Sequence, residues 1–573
     1  MKLMHFTPKV KILPAAIVLA LGLMSAVNAQ NLPTLGDTAR EDLSPLQERK
    51  IGEQIMISVR RDPDYLDDGP IIEYLNKLGN QLLEKHPDAR GELSYDFQFF
   101  AVRDGTLNAF AFPGGFIGFH SGLILTAQTE SELASVMGHE IGHVAQRHIA
   151  RGIGGQRQDA FIPIAALILA ALAARASPDA AIGLILGGQG LAIQRQLNFS
   201  REAEREADRF GFQILKDADF DTYGMEAFFG RLQTSYRNYN DNIPPYLRSH
   251  PLTGERIADI QNRNIGQRYK QRIDPLDFQL VQSRVRVLQD FTFAGLSAAK
   301  QFFEGQAKST SLEARIAGEY GLAFVALKQL DYALALKLLD QVKQQVAAAP
   351  KLKFWLKQTS AFASLEIDIH LANKDVKRAV DVAKLSLQDL PLSHGIAYQY
   401  VDALLASDRA EDAGVFLRDQ LSLYRQDSRL QNLLAKVYAL QGRQALQHLA
   451  LAEAYAIDGA TEAALLQLDI ARREKDVAYY DLSVIDARER DWKERRREEI
   501  IDEKKRKHSG LSLSVSSQSS QNNEIQKEGK FGAARGDSLA PFSRRNDDFF
   551  KRRAEQEKDT PDSATEKNKP LRW

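Results

Sequence analysis

The sequence predicts a mainly helical α+β domain with a small sheet, followed by an all-α domain built from repeated helix pairs. Apolar residues in the segment 30–285 recur in both helical and strand-like spacing, which is typical of a mixed domain. From residue 291 to about residue 490 only helical spacing persists. With 44% hydrophobic against 26% charged residues, the chain has enough apolar material for packed cores. A wholly disordered chain is therefore excluded.

Length and composition limit the possible classes of function. At about 100 to 200 residues per domain, a chain of 573 residues should contain several domains. Lys and Arg together number 75, as do Asp and Glu, so a broad basic surface for nucleic acid is not expected. The chain has no cysteine, which excludes disulfides, thiol catalysis and cysteine-bound metals. Any metal ion must therefore be bound by His, Asp or Glu.

Residues 1–29 have the order of features found in a cleavable secretory signal. Lysines precede an apolar run at 12–24, and small residues follow up to Ala29, after which we expect cleavage. A membrane anchor is the alternative, but the run falls short of the roughly 20 apolar residues that span a bilayer. If the source is a Gram-negative bacterium, the signal predicts export to the periplasm, an oxidising compartment that a chain without cysteine tolerates.

The segment 30–285 contains the clearest local signals for both types of secondary structure. Leu75, Leu78 and Leu82 recur at helical spacing. Residues 95–99 instead alternate between apolar and polar, like a half-buried strand. This mixture predicts the α+β domain.

Repeated small residues organise the segment 291–490. Ala379 and Ala413 are 34 residues apart, which is the period of tetratricopeptide repeats, and Ala335 and Ala464 occupy the same position at longer intervals. The segment resembles degenerate tetratricopeptide repeats. Helix pairs of this kind stack into a solenoid with a groove, because one pair cannot bury its apolar faces alone. An ordinary helical bundle is the alternative.

The segment 491–573 is expected to be a largely disordered, charged tail. It combines runs of charged residues with a serine-rich stretch and contains few apolar residues. Its basic clusters suggest contact with acidic lipid or with a partner, whereas a solvated tail is the simpler interpretation.

A helix that carries two histidines and a glutamate forms the clearest chemical motif. Thr129 and Glu132 form a capping-box pattern at its start, and apolar residues then recur on one face. His139 and His143 lie one turn apart on the same side, so both imidazoles can reach a single zinc ion. Glu140 is then placed beside the water that such a zinc activates. The alternative is a pair of solvated histidines around a salt-bridging glutamate.

A catalytic zinc needs a third protein ligand, and a later acidic helix offers candidates. Glu204 and Asp208 share one flank of its apolar stripe. Glu202 and Glu206 occupy the other flank, and periodicity cannot choose between them. Asp208 favours Glu204, because its carboxylate can accept a hydrogen bond from a ligand histidine. An acidic, salt-bridged helix face is the alternative, and His148 is expected at the surface rather than as a ligand.

These motifs, HExxH at 139–143 and SRxxExxAD at 200–208, resemble the HtpX and CAAX-prenyl-protease type of zinc metallopeptidase. The resemblance covers about residues 43–272 and includes the segment 108–115 and His250. It implies a gluzincin-type domain that holds one Zn²⁺ per chain and hydrolyses peptide bonds. By this resemblance the metal ligands and the general base are His139, His143, Glu204 and, as the base, Glu140.

The same resemblance directs attention to two further residues and a strand. His250 would act either by stabilising the oxyanion or as a fourth zinc ligand that displaces the water, and the resemblance favours the second, regulatory role. Arg256 is either an oxyanion donor or a member of a structural ion pair. An edge strand that pairs with an extended substrate backbone is predicted for Ala109, Phe110, Ala111 and Phe112.

An exported peptidase domain followed by repeats is similar to bacterial proteases of outer-membrane protein assembly. We therefore expect a periplasmic zinc-dependent endopeptidase, with chaperone activity, that degrades misassembled outer-membrane β-barrel proteins. The expected partners are these unfolded or misassembled proteins and the outer-membrane assembly machinery, which the repeats would contact. Apolar stretches at 161–174 and 180–192 are too short to span a bilayer and suggest a lid or a peripheral membrane contact. A buried helical hairpin is the alternative.

Two other functions compete with this expectation. The first is a chaperone or adaptor that acts mainly through its repeats, with proteolysis secondary. The second is a membrane-anchored peptidase, which the lengths of the apolar segments disfavour.

Overall fold

The computed structural model describes residues 44–90, 96–153, 201–238, 245–267 and 272–508. Within these ranges the chain is mainly helical, with a three-stranded sheet near its beginning and only helices after residue 276. The predicted fold class, a mainly helical α+β domain followed by an all-α region, is confirmed. Several predicted features lie outside the described residues, namely the signal segment 1–29, the apolar stretches 161–174 and 180–192, and the tail beyond residue 508.

Two helices precede the sheet, and both begin with side-chain caps. Helix α1 (Pro45–Arg61) has a capping box in which Ser44 and Gln47 exchange hydrogen bonds. Helix α2 (Gly69–Leu83) is capped by the Asp68 carboxylate. The apolar residues that predicted this helix are buried on its inner face, namely Leu75, Leu78 and Leu82.

The sheet contains β1 (Gln98–Val102), β2 (Ala109–Phe112) and β3 (Phe116–His120). β3 lies in the centre, parallel to β1 and antiparallel to β2, so β2 forms one edge. The strand predicted at 95–99 begins only at Gln98. Its pairing with β3 starts between Gln98 and Phe116, because Gly115 before β3 is in a left-handed turn with φ 93°.

The helices after the sheet are α3 (Ser121–Thr126), α4 (Glu130–Ala145), α5 (His148–Ile153), α6 (Arg201–Asp217), α7 (Tyr223–Asn238), α8 (Pro245–Ser249) and α9 (Gly254–Asn264). Helix α4 is buried along nearly its whole length and packs closely against α6. A Cβ atom added at Gly211 of α6 would lie 2.9 Å from the carbonyl carbon of Gly138 on α4. Glycine at this crossing therefore brings together the two helices that carry the candidate metal-binding residues.

From Leu276 the described chain is helical throughout. Its helices are α10 (Leu276–Gln289), α11 (Phe293–Gln306), α12 (Leu312–Lys328), α13 (Tyr332–Ala348), α14 (Trp355–Gln358), α15 (Ser360–Ala372), α16 (Val376–Asp389), α17 (His394–Ala406), α18 (Ala410–Leu423), α19 (Ser428–Leu440), α20 (Gln444–Ile457), α21 (Thr461–Arg473) and α22 (Tyr479–His508). Among the described helices, none has both the length and the apolar content needed to cross a membrane.

Left-handed residues mark the turns between paired helices in this region. Lys374, Asp408 and Gly442, with φ values of 61°, 55° and 71°, follow one another at intervals of 34 residues. The recurring alanines are each the fourth residue of a helix and are fully buried, namely Ala335, Ala379, Ala413 and Ala464. Such regular spacing is typical of a helical-repeat solenoid.

The tail expected to be disordered from residue 491 is helical at its start, which corrects that expectation. Helix α22 continues through this position to His508. Trp492 is 2% exposed and packs in an apolar cluster with Leu468 and Ile485. Burial of this large side chain stabilises the helix although most of its neighbours in the sequence are charged.

One apolar core crosses the boundary expected between residues 285 and 291. It includes Ile141 of α4, Leu288 of α10 and Phe324 of α12. Arg284 of α10, which is 2% exposed, donates from Nη2 to Oδ2 of Asp68 at 2.6 Å. The first helices of the all-α region therefore pack as part of the same core as the sheet.

Candidate metal centre

Four buried side chains with metal-binding atoms converge where α4, α6 and the end of α8 meet. These side chains place one donor atom each within 4.8 Å of one another and belong to His139, His143, Glu204 and His250. Each is at most 2% exposed. Imidazole nitrogens and a carboxylate are donors that zinc and other transition metals accept. The structure thus brings together the three ligands suggested by the sequence and His250, for which the sequence analysis offered a role as fourth ligand.

Helix geometry directs the donors toward a common centre. Thr129 caps α4 by accepting a hydrogen bond from the backbone N–H of Glu132. One turn separates His139 and His143, and their Nε2 atoms are 3.0 Å apart. On α6, Glu204 faces both rings, with 3.5 Å from Oε2 to Nε2 of His139 and 3.4 Å from Oε1 to Nε2 of His143. Both Nε2 atoms therefore point into the cluster.

His250 closes the cluster from the side of α8. Its Nδ1 lies 3.0 Å from Oε1 of Glu204 and 3.3 Å from Nε2 of His139. Its Nε2 lies 3.6 Å from Oε1 of Glu140. Tyr246 stacks on the His250 ring with 4.7 Å between the centroids. In this position the imidazole can serve as a fourth donor or contact a group bound beside Glu140.

Glu140 is fully buried, and neither carboxylate oxygen has a hydrogen-bond partner within the described part of the chain. Burial raises the pKa of Glu140, and the nearby His250 and His139 partly offset this effect. Leaving a buried acceptor without a partner costs at least about 1 to 3 kcal/mol. A carboxylate in this state fits a site that binds a cation together with a water molecule or a substrate.

The members of the cluster differ in charge when no metal is bound. Burial alone would raise the pKa of Glu204, but attraction to His250 and hydrogen bonds from the α4 histidines hold it well below its usual range. Burial would lower the pKa of His139, but hydrogen bonds with Asp208 and Glu204 raise it to about 9. Burial holds the pKa of His143 well below its usual value. Near neutral pH, Glu204 is therefore a carboxylate, His139 is protonated and His143 is neutral.

Asp208 and Arg256 support the cluster from outside. Oδ1 of Asp208 lies 2.9 Å from Nδ1 of His139, on the side of the ring away from the cluster. Arg256 is 3% exposed and donates to Asp208 from Nε at 2.6 Å and from Nη2 at 2.8 Å. Its Nη1 donates to the backbone oxygen of Pro251 and lies 2.8 Å from Oε2 of Glu204. Because its donors are engaged in this way, the geometry favours a structural ion pair over an oxyanion role.

Burial distinguishes the two acidic flanks of α6. Glu204 and Asp208 are each 1% exposed and contact the cluster. The side chain of Glu202 is 72% exposed, and that of Glu206 is 40% exposed. Periodicity could not make this distinction, because it depends on which side of α6 packs against α4.

The expectation that His148 lies at the surface is wrong, because the helix does not continue to it. Helix α4 ends at Ala145, and Arg147 takes the left-handed conformation with φ 51° before α5 begins. This turn brings His148, which is 3% exposed, beside His143 with 2.9 Å between their Nδ1 atoms. Arg147 is held by an ion pair with the buried Glu48. No local feature of the sequence indicates this left-handed break.

The edge strand singled out in the sequence lies next to the cluster. It comprises Ala109, Phe110, Ala111 and Phe112, forms the β2 edge of the sheet and packs against α4. Just before it, the backbone oxygen of Leu107 accepts a hydrogen bond from the N–H of Tyr246, the residue that stacks on His250. The strand and the cluster are therefore linked through α8.

Comparison with known proteins identifies one family and several relatives. The family model "Peptidase family M48" matches residues 73–264. The "Putative beta-barrel assembly-enhancing protease" of Vibrio cholerae is 39% identical over 316 residues, which are 55% of this chain and 64% of that protein. The "Beta-barrel assembly-enhancing protease" of Escherichia coli K12 is 30% identical over 463 residues, 81% of this chain and 91% of that protein. The "Mitochondrial metalloendopeptidase OMA1" of Arabidopsis thaliana is 25% identical over 234 residues, 40% of this chain and 44% of that protein.

Proposed function

This chain belongs to peptidase family M48 and is a metalloprotease, and we propose that it is a periplasmic zinc endopeptidase acting on outer-membrane β-barrel proteins. The main support is the buried cluster of His139, His143 and Glu204 beside Glu140, whose carboxylate has no hydrogen-bond partner among the described residues. The names of the two bacterial relatives support a role in β-barrel assembly. The proposal extends this role to quality control, in which misassembled β-barrel proteins are degraded.

One Zn²⁺ per chain would be held by His139, His143 and Glu204. This donor set fits zinc, because catalytic zinc sites commonly use three nitrogen or oxygen ligands and keep one position open. When bound, the ion polarises the scissile carbonyl and makes water a stronger nucleophile at neutral pH. Asp208 orients His139 by accepting from its Nδ1, and Arg256 neutralises the buried carboxylates around it.

Glu140 is the proposed general base. It takes a proton from the attacking water and then delivers that proton to the leaving nitrogen of the cleaved peptide bond. Its burial supports this role, since a raised pKa brings the carboxyl closer to the pH at which it must exchange a proton.

His250 is proposed to hold the enzyme idle by taking the open metal position. Its contacts with Glu204 and His139 support this role, because they keep the imidazole inside the donor cluster. The ring would have to leave before water and substrate could bind. An oxyanion role in catalysis is the alternative, and the two roles predict opposite effects of removing the imidazole.

The edge strand β2 is proposed to bind substrate as an added strand. Main-chain hydrogen bonds to such an edge are independent of side-chain sequence, so they suit many extended segments. Unfolded or misassembled outer-membrane proteins offer extended segments of this kind. Folded proteins would be poor substrates because their strands are already paired.

The all-α region is proposed to contain tetratricopeptide-like repeats whose groove holds substrate or the outer-membrane assembly machinery. The intervals of 34 residues between left-handed turns support this assignment. The proposed organisation is a signal peptide at 1–29, a peptidase domain at 30–285 and repeats at 291–490, followed by a charged tail. The signal pattern supports a periplasmic location.

Metal analysis combined with digestion of unfolded casein tests the proposal. Glu140→Gln should keep zinc and lose about 100-fold or more of the activity, because a general base contributes roughly 10² to 10⁴ in rate. His139→Ala should lose both zinc and activity. Wild-type protein that binds no zinc or leaves casein intact would contradict the proposal.

Complementation in cells separates proteolysis from chaperone activity. Wild-type protein should restore β-barrel assembly in a bacterium that lacks its own enzyme of this kind. If Glu140→Gln restores assembly equally well, the chaperone function acts independently of cleavage. If it does not, proteolysis is required for the function in assembly.

A further inference from the structure

His148 lies outside the proposed donor set but contacts one of its members. Its Nδ1 is 2.9 Å from Nδ1 of His143, and its Nε2 is 2.9 Å from Oε2 of Glu206. The rings of His143 and His148 meet edge to face with 4.9 Å between their centroids. A series of contacting side chains thus connects the cluster through His148 to the partly exposed carboxylate of Glu206.

The direction of each hydrogen bond in this series follows from which side-chain atoms can donate and which can only accept. A carboxylate oxygen of Glu206 only accepts, so Nε2 of His148 carries the hydrogen. In a neutral imidazole the other nitrogen is then an acceptor, so Nδ1 of His148 accepts from Nδ1–H of His143. Nε2 of His143 then carries no hydrogen and directs its lone pair into the cluster.

We propose that His148, oriented by Glu206, is a positioning residue that keeps His143 in the tautomer able to bind metal through Nε2. The proposal rests on the metal site proposed above, because it assigns a role toward that site. The two histidines of α4 are contacted at Nδ1 by different groups. Asp208 contacts His139 directly through its carboxylate, whereas His148 contacts His143 through an imidazole.

The surroundings of His148 hold the ring in this place. It is 3% exposed, and the left-handed turn at Arg147 directs it back toward α4. Glu206 is itself held by Arg151, whose Nη1 lies 2.7 Å from Oε2. The bridging imidazole allows Glu206 to remain 40% exposed, so a further unscreened carboxylate is not buried beside Glu204.

Zinc affinity of the full chain, measured by competition with a chromogenic chelator, tests the proposal. His148→Phe keeps the ring volume but removes the acceptor and should weaken zinc binding by about 10- to 100-fold, as loss of a partner to a ligand histidine does. His148→Asn places an oxygen acceptor near the position of Nδ1 and should restore most of the affinity. Glu202→Gln, which changes an exposed carboxylate on the same helix, should leave the affinity unchanged.

A second measurement separates positioning from a structural role. The increase in melting temperature on adding zinc should shrink in His148→Phe and recover in His148→Asn, whatever happens to the metal-free protein. Unchanged zinc affinity in His148→Phe, or equal losses in both variants, would overturn the proposal while the metal site stands. If the wild type binds no zinc, or if His139→Ala binds it as well as the wild type, the proposed site fails and this inference fails with it.

Discussion

His250 and Glu204 are in direct contact, with 3.0 Å between Nδ1 and Oε1, although they lie on separate segments 46 residues apart. The imidazole that closes the cluster is thus held by the same carboxylate that faces both α4 histidines. If His250 holds the enzyme idle as proposed, activation requires this contact to break. The contact then contributes to the energy that keeps the site closed.

Removal of the His250 imidazole should raise basal peptidase activity. If His250 occupies the open position in nine molecules of ten, His250→Ala should increase casein cleavage about tenfold, because activity scales with the competent fraction. Initial rates at saturating zinc provide the measurement. His448→Ala, which removes a histidine of α20 in the all-α region, is the matched control and should change nothing. An inactive His250→Ala with normal zinc content would instead assign the oxyanion role.

Glu204 and Glu202 provide a direct comparison of the two flanks of α6. Glu204→Gln should weaken zinc binding by more than about 100-fold, because it removes a ligand carboxylate rather than a residue that only contacts a ligand. Glu202→Gln should bind zinc normally, since its side chain is 72% exposed. Chelator competition on both variants measures the difference. Loss of zinc in Glu202→Gln with normal binding in Glu204→Gln would reverse the assignment of the third ligand.

Zinc binding should release a proton from His139. The pKa of His139 is about 9 without metal, because hydrogen bonds to Asp208 and Glu204 outweigh the effect of burial. Below that pH zinc must displace the proton, so the apparent affinity should increase with pH and level off near 9. Calorimetry at pH 7 in two buffers of different ionisation enthalpy should show about one proton released. Release of no proton would contradict the protonated state of metal-free His139.

Loss of Arg256 should destabilise the protein strongly. Arg256→Met removes one of the two cationic partners of the buried Asp208 and Glu204 carboxylates and leaves His139 as the other, a change that costs about 3 to 5 kcal/mol. Thermal unfolding of the metal-free protein at neutral pH should show a clear drop in melting temperature. Arg209→Met is the matched control, because Arg209 is 56% exposed and its ion pair with Asp259 contributes little. Equal stability of the two variants would contradict the role of the buried pair.

The effect of Arg256→Met should depend on pH in a defined direction. Burial would raise the pKa of Asp208, but hydrogen bonds from Arg256 and His139 lower it below the usual value. A lowered carboxyl pKa contributes stability that is present above the unfolded-state value of about 3.9 and is lost as the pH falls below it. The difference in melting temperature between wild type and variant should therefore become smaller in acid.

The sequence predicted helix α4 with its two histidines because the residues that indicate this helix are close together in the sequence. His139 and His143 are one helical turn apart, so their shared side follows from the period of the helix alone. The alternation of apolar and polar residues at 95–99 did not give the start of β1. The strand begins at Gln98, where its backbone first pairs with β3. Trp492 shows the same limit for α22, because a single buried aromatic residue stabilises a helix that its charged composition disfavours.

Residue spacing along the chain was sufficient to predict the mixed and the all-helical regions, the helix with two histidines and a set of side chains suited to bind zinc. Packing of distant segments was needed to bring His250 to His139, 111 residues earlier, and to turn His148 back toward His143. The reason is that helical periodicity repeats over a few residues, whereas the close crossing of α4 and α6 and the left-handed conformation of Arg147 depend on contacts that no short stretch of sequence contains.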